Sequence, residues 1–286
     1  MKPLYDFNSL PVDRTISPHD TMLAVGKETE YYDIGRRAVE LVQCAADLCD
    51  KPHYPDVLDL PCGYGRVQRW LRARYNYARI TSCDLERGAV DFCAERFGST
   101  PVYSDPDLRK LPFKEQFDLV WMGSLLTHLP LEKWLTTLDC VVNWTRDCGV
   151  IMLSTQGRYF SSLLAKGQFY QAADVNQYEL LSEFTRSGFS YQPYFNSSAG
   201  DYGIALTSPE WLMRLFQRHP NLIVRAYLEQ AWGVQDVVIL YKLPGYYAPV
   251  LGTPTLDPMI ADPGTRPPGL LKRIFTASRD EKRPVI

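Results

Sequence analysis

The 286-residue sequence predicts an α/β fold: a doubly wound, mostly parallel sheet with an inserted cap. Three observations predict it. Strand-length apolar runs alternate with segments of helical periodicity from Asp56 to Ser154, which implies parallel strands covered on both faces. A glycine turn follows the first run and an acid closes the second, an arrangement found at the ligand-binding edge of such sheets. The alternation breaks over residues 156–207 and resumes at Ser208, as an insertion would require.

Residues 1–29 are rich in proline and polar groups and are expected to wrap the surface as an arm or lid. The core begins at residue 30. Glu30 to Asp50 reads as a helix, with Ile34, Ala38, Leu41, Val42, Ala45 and Leu48 at helical spacing and Pro52 and Pro55 beyond its end. Asp56 to Leu60 is the first strand. Arg66 to Arg74 is helical, with Val67, Trp70 and Leu71 on one face. Arg79 to Cys83 is the second strand, closed by Asp84. Arg87 to Phe97 is a helix that buries Val90, Cys93 and Phe97. Pro101 to Ser104, Phe117 to Met122 and Gly149 to Ser154 are three further strands. The helix Leu131 to Thr145 carries Leu131, Trp134, Leu135, Leu138 and Val142 in register.

The insertion, residues 156–207, is dense in aromatics. It predicts a helix over Val175 to Ser187 and a hairpin over Phe189 to Leu206. Ser208 is an N-cap with Pro209 at the first helical position, and that helix runs to about Arg218. Leu222 to Leu228 and Val234 to Leu243 close the core, whose second part is residues 208–243. The Pro/Gly-rich tail, residues 244–286, is expected to pack loosely.

Composition narrows the function classes. Apolar residues make up 45%, enough for a sizeable core, and a net charge of −2 argues against a dedicated nucleic-acid binder. No run of about 20 apolar residues occurs, so neither a signal peptide nor a membrane span is read, and a cytoplasmic location is expected. The seven cysteines (Cys44, Cys49, Cys62, Cys83, Cys93, Cys140 and Cys148) form no CxxC pair. Reduced, mostly buried thiols are expected, and the ligand spacings of a zinc site are missing.

Residues 57–67, VLDLPCGYGRV, carry the chemistry. Gly63 and Gly65 allow close approach of backbone to a ligand. Asp84, about 20 residues on, suits the two hydroxyls of a ribose. A dinucleotide would need GxGxxG and no acid beside its pyrophosphate; here only GxG stands, with Val67 near the third position and Asp59 before the turn. A ligand with a ribose, a positive ammonium group and no phosphate fits better. S-adenosylmethionine is such a ligand.

The chain resembles class I S-adenosylmethionine-dependent methyltransferases. Their first motif, an acid followed by x-G-x-G-x-G, stands as Asp59-Leu60-Pro61-Cys62-Gly63-Tyr64-Gly65; the strand-two acid is Asp84, and FDLVWMGSLLTHLP follows at the fourth strand. The resemblance spans roughly Asp56 to Leu243 and implies a Rossmann-like, seven-stranded sheet with an antiparallel last strand. Pro61 replaces the first glycine, which is compatible where φ near −65° serves and no N–H is needed. The resemblance implies S-adenosylmethionine as cofactor, S-adenosylhomocysteine as product and no metal. The implied cofactor residues are Asp59, Pro61, Cys62, Gly63, Gly65, Asp84, Leu85, Gly123 and Ser124, with Asp105 meeting the adenine. Counting back from Leu111-Pro112 selects Asp107 for that contact instead.

The segment Gly123 to Pro130 borders the transferred methyl in this family. It lacks the Asp/Asn-Pro-Pro-Tyr/Phe signature of amino-methylases and carries His128, a candidate general base for an oxygen acceptor. The alternative is a histidine that packs beside the cofactor or caps the Leu131 helix. Tyr32, His19, Asp201 and Tyr202 are candidate acceptor contacts, while His53 and His219 are expected in solvent. The residues before the last strand, Trp232 to Asp236, point into the site or cap the strand. The expected function is O-methylation of a hydroxyl on a small molecule or glycan, such as a secondary metabolite or sugar. N-methylation, a catalytically silent cofactor binder and, more distantly, an NAD-dependent dehydrogenase are the alternatives. The sequence specifies no oligomeric state.

Overall fold

The computed structural model describes residues 5–168, 174–195 and 202–244. Nine strands are present there: β1 Asp56–Asp59, β2 Arg79–Asp84, β3 Thr100–Tyr103, β4 Phe117–Met122, β5 Thr145–Thr155, β6 Phe189–Pro193, β7 Gly203–Thr207, β8 Leu222–Trp232 and β9 Gln235–Lys242. The helices are α1 Glu28–Leu48, α2 Gln68–Arg74, α3 Arg87–Phe97, α4 Leu131–Trp144, α5 Arg158–Ala165, α6 Gln177–Ser187 and α7 Pro209–Phe216. Seven strands form one sheet in the order β3-β2-β1-β4-β5-β9-β8. Its pairs are parallel from β3 to β5, and β9 runs antiparallel to both β5 and β8. This is the Rossmann-like doubly wound sheet that the sequence predicts. The strand order reverses between β1 and β4, so the ligand crevice of such a sheet lies at their carboxyl ends.

Period-2 burial explains why the central strands read as continuous apolar runs. In β4, Val120 and Met122 join the cluster of α4 and α7, while Leu119 and Trp121 join that of α1 and α2. Both faces are covered, and the one polar side chain of β4, Asp118, lies near the strand's start. Gly35, in the middle of α1, has a packing reason. A Cβ there would sit 2.1 Å from the Arg66 carbonyl oxygen and 2.6 Å from the Trp70 ring, so α1 lies directly against the end of the glycine turn. The polar groups at the opposite end of the sheet form an ion-pair cluster. Asp56 meets Arg79 and Arg146, and Asp118 meets Arg146 and Lys51.

Several boundaries differ from the expectation. The helix after the turn starts at Gln68, because Arg66 and Val67 complete the turn. Strand β5 starts at Thr145, directly off α4; Thr145 pairs with Phe117 before a register shift. The insertion holds an additional helix, α5, which buries Phe160 and Leu164. Its second helix, α6, is capped by Asn176, which accepts from the Glu179 amide, and ends on Gly188 at φ +79°. Strands β6 and β7 pair as the expected antiparallel hairpin, and Ser208 caps α7 as expected. His219 is a correction. It is half-buried rather than solvated, with Nε2 3.0 Å from Asp139 on α4, and burial lowers its pKa. All seven cysteines are free, five of them buried. Among the described residues no helix is long and apolar enough to cross a membrane. The tail from residue 245 lies outside the described residues.

Burial alone would raise the Asp56 carboxyl, but hydrogen bonds from Arg79 and Arg146 outweigh it and hold the group below its usual range. A depressed carboxyl stabilises the fold above its unfolded value, about 4, and loses that contribution as pH falls through the folded value. Urea denaturation between pH 3 and 7 should therefore show a shallower acid loss for Asp56→Asn than for the natural chain; parallel curves would refute the assignment.

Candidate active site

The glycine turn is built by backbone bonds to its neighbours. Leu60 donates to the Trp121 carbonyl (3.1 Å) and Cys62 to the Cys83 carbonyl (3.0 Å), which fixes the turn between β4 and β2. The Leu60–Pro61 peptide is cis. Gly63 has φ +47° and its amide donates to Asp84 Oδ2 at 2.8 Å; Gly65 has φ +78°. The two glycines differ in what they permit. A Cβ on Gly65 would lie 2.3 Å from the Phe97 ring, whereas one on Gly63 would meet nothing within 4 Å. Gly65 therefore serves packing, and Gly63 keeps its backbone open to the crevice. The cysteine of the turn, Cys62, is buried against Val90, Cys93 and Phe97.

Two acids flank the turn. Asp84 closes β2 and accepts from the amides of Gly63 (2.8 Å) and Glu86 (3.0 Å), and the exposed Leu85 follows it. Each carboxylate oxygen keeps a second acceptor site. Asp59 ends β1 and is 1% exposed, and its Oδ2 has no hydrogen-bond partner. Burial, with the charge of Asp84 adding, pushes its carboxyl well above the ordinary value. After β3, Asp105 accepts from the Asp107 amide and from Lys110, while Asp107 caps a short turn and binds Arg109. Ser104 donates to the Asp84 carbonyl at 2.8 Å, so Asp105 is the nearer of the two in the chain to the end of β2.

The segment after β4 is held by a closed set of bonds. Gly123 packs on Trp232; a Cβ would meet that ring at 2.8 Å. Ser124 has φ +62°, a strained value for a residue with a Cβ. Its amide donates to Ser154 Oγ (2.7 Å), Ser154 donates to Gln235 Oε1 (2.6 Å), and Gln235 Nε2 donates to Ser124 Oγ (2.7 Å). The ends of β4 and β5 and the start of β9 are thereby locked together. Gln235 thus points toward the segment, whereas Asp236 turns to Tyr227 and the Gln230 amide.

His128 joins this segment to the hairpin. Its Nδ1 lies 2.7 Å from the Gly203 carbonyl oxygen and 3.3 Å from the Tyr194 hydroxyl, and its ring stacks on Tyr202 at 4.7 Å. Burial lowers its pKa. A carbonyl can only accept, so Nδ1 carries the proton and Nε2 of the neutral ring carries the lone pair. Asp201 lies outside the described residues.

The arm is tied to the turn by a residue that the sequence reading missed. Arg69, 1% exposed, donates to the carbonyls of Gly65 and Tyr64 on one side and of Asp13 and Thr15 on the other. It also reaches the Tyr31 hydroxyl, which in turn donates to the buried Asp20. Arg96 adds bonds to Asp13 and Thr15. Tyr32 donates to the Arg14 carbonyl under the Arg14 guanidinium. His19 is exposed, between the buried Ser17 and Asp20. The structure thus brings Asp59, Asp84, the two glycines and Ser124 to one sheet edge. It leaves His19 at the surface and gives Tyr32 to the arm.

Residues 57–149 match the methyltransferase-domain family. That match, a methyltransferase domain, is consistent with the class I S-adenosylmethionine-dependent methyltransferases. Among curated relatives, malonyl-acyl-carrier-protein O-methyltransferase of Acetivibrio thermocellus is 29% identical over 114 residues, 38% of each chain. Its counterpart from Anoxybacillus flavithermus is 24% identical over 102 residues, 35% of this chain and 39% of that one. The chain therefore spans under two-fifths of the length of these relatives. A solved amino pentose methyltransferase from Micromonospora echinaspora shares the fold, with TM-score 0.51, 12% identity and coverage of 77% of this chain and 97% of that one. The sequence signal that could have found the clamp is Arg69 itself, a basic residue four positions after the second glycine. Its acceptors are backbone carbonyls of a distant segment, which leave no side-chain pattern.

Arg69→Met should leave the carbonyls of Asp13, Thr15 and Tyr64 without their donor, the Gly65 carbonyl keeping the backbone amide of residue 69, and destabilise the chain by at least about 2 kcal/mol. It should also expose the arm, read as faster tryptic cleavage after Arg14, with Arg69→Lys intermediate. Unchanged cleavage would show that the arm is held by other contacts.

Proposed function

We propose that this chain transfers a methyl group from S-adenosylmethionine to an oxygen of a small-molecule or glycan acceptor, with S-adenosylhomocysteine as the second product. The observation that carries the reading is the orphaned Oδ2 of the buried Asp59, at the turn where the cofactor of such a sheet lies. A buried carboxyl without a partner is costly. A ligand that brings an ammonium group to the turn satisfies it, whereas a pyrophosphate would be repelled. The residues present therefore fit the methyl donor. Asp59 would hold its ammonium group, Asp84 its ribose, Asp105 its adenine, and the backbone of Pro61 to Gly65 its length. Leu85, Gly123 and Ser124 would border it.

When bound, the donor supplies an electrophilic methyl on a sulfonium. The chain's own work is to position the acceptor and exclude water. The segment Gly123 to His128, locked by the serine and glutamine bonds, and the hairpin that His128 fastens would wall the acceptor space. A hydroxyl acceptor also needs a base. His128 suits this role through Nε2, because its other nitrogen is held by Gly203 in the required tautomer.

The donor is tested by binding. S-adenosylhomocysteine should raise the melting temperature and NAD should not. Asp59→Asn should weaken S-adenosylhomocysteine at least about tenfold by calorimetry, through loss of a charged bond. The same change should make the free chain more stable near neutral pH. A carboxyl raised by folding opposes stability as pH climbs from the unfolded value, about 4, toward the folded one. Equal affinity in the variant would sink the assignment. Transfer of label from a methyl-labelled donor to an acceptor separates an enzyme from a silent binder.

The base is tested by pH. Because burial lowers the His128 pKa, its ring is neutral above its usual value, about 6.5. For a hydroxyl acceptor, kcat/KM should be flat above that pH and fall below it. His128→Ala should lower kcat roughly 10²-fold with cofactor affinity unchanged. Near-normal turnover in that variant would leave His128 only its role of fastening the hairpin.

A further inference from the structure

His128 stands within a group of aromatic rings. Its ring lies on Tyr202, with centroids 4.7 Å and planes 23° apart. Tyr194 leans on both, at 6.2 Å from His128 and 5.6 Å from Tyr202. The Tyr194 amide donates to the Tyr202 carbonyl at 3.2 Å, so the two tyrosines face each other just beyond the paired ends of β6 and β7. One face of the Tyr202 ring is thus taken by His128. The ring is nevertheless 51% exposed, which leaves a flat aromatic surface uncovered beside the segment that follows β4.

The base strength of His128 selects among acceptor hydroxyls. Burial lowers its pKa, and the neutral Gly203 carbonyl on Nδ1 opposes this only in part. The ring is therefore a weak base, with a pKa below the usual value of about 6.5. A phenol ionises at about 10, and an aliphatic hydroxyl near the value of water, about 16. Full proton transfer to such a base is unfavourable by at least roughly 10³-fold from a phenol and by roughly 10⁹-fold from an alcohol. A flat wall and a weak base call for the same acceptor, an aromatic ring that carries its own acidic hydroxyl.

We propose that Tyr202, backed by His128 and Tyr194, is the stacking wall of a site for an aromatic hydroxyl acceptor. The inference narrows the proposed methyl transfer and rests on it for the chemistry, but not for the binding. The acceptor ring lies offset on the free face of Tyr202, with its hydroxyl toward the lone pair of Nε2. The hydroxyl proton passes to Nε2 and then to solvent. The methyl passes to the phenolic oxygen, and the electron pair of the broken C–S bond stays on the sulfur of S-adenosylhomocysteine.

Calorimetry on the full chain, saturated with S-adenosylhomocysteine, tests the wall. The probes are 2-naphthol, its saturated counterpart decahydro-2-naphthol, and methyl β-glucoside. Tyr202→Phe and Tyr202→Leu are compared, with native circular dichroism required of each. The natural chain should bind 2-naphthol more tightly than either other probe, and Tyr202→Phe should keep that preference. Tyr202→Leu should weaken 2-naphthol about threefold to tenfold, the worth of one aromatic pair, and leave decahydro-2-naphthol unchanged. With a methyl-labelled donor, label should appear on 2-naphthol. The proposal is overturned if a saturated probe binds as tightly as 2-naphthol, if none binds, or if Tyr202→Leu binds 2-naphthol as the natural chain does. Label on the glucoside alone, or on neither probe, overturns it equally. Failure of the natural chain to bind S-adenosylhomocysteine would sink the donor reading alone, and the naphthol comparison, repeated without it, would still decide on Tyr202.

Discussion

The bond from the Gly63 amide to the Asp84 carboxylate is the constraint on which the rest of the site depends. It ties the loop leaving β1 to the end of β2, across the edge where the crevice opens. Gly63 can make it only with φ +47°, and the loop can reach it only because Gly65 turns under the Phe97 ring. Two glycines are therefore needed for two reasons, one conformational and one steric. The neighbouring Cys62 amide is bonded to Cys83 in the same strand. The turn is thus fastened from both sides before any ligand arrives, which limits the ordering cost of binding.

The same turn organises the chain beyond the sheet. Its carbonyls at Tyr64 and Gly65 are bonded to Arg69, and Arg69 carries the arm through Asp13 and Thr15. A charged donor among neutral carbonyls is a strong hydrogen-bonding hub in a low-dielectric setting. The arm and the glycine turn are consequently one mechanical unit, although more than 40 residues separate them in sequence. Gly35 completes the unit by letting α1 approach the turn at van der Waals contact.

The parts of this that were legible in the sequence are those with local signatures. Strands such as DVLD and FDLVWM were legible because both faces are buried. The turn was legible as a turn because glycine has few substitutes at positive φ, which Gly63 and Gly65 both adopt. Ser208-Pro209 gave the start of α7 because capping is a property of neighbouring residues. The parts that were not legible depend on distant partners. Arg69 donates to carbonyls, which every residue has. His219 sits beside a proline, as a solvated turn residue would, yet it packs on Asp139 of α4. The helix α5 is only eight residues long and sits in a polar, aromatic stretch whose periodicity is weak without its packing partners. The start of β5 was misplaced because Thr145 leaves α4 straight into a strand, with no loop residues to mark the change.

The charges around the turn show what the folded chain gives up for the site. Asp59 stands at the start of the turn, 1% exposed, with Oδ2 unpaired and the charge of Asp84, an acid like itself, acting on it. A fold selected for stability alone would pair Asp59 or replace it with an apolar residue, since either choice avoids an uncompensated charge. An acid so placed suits a cation. A ligand that brings a cation to the turn can satisfy it, and the binding free energy then includes relief of a desolvation cost already incurred on folding. That is electrostatic preorganisation, with the cost borne by the free protein rather than at the moment of binding.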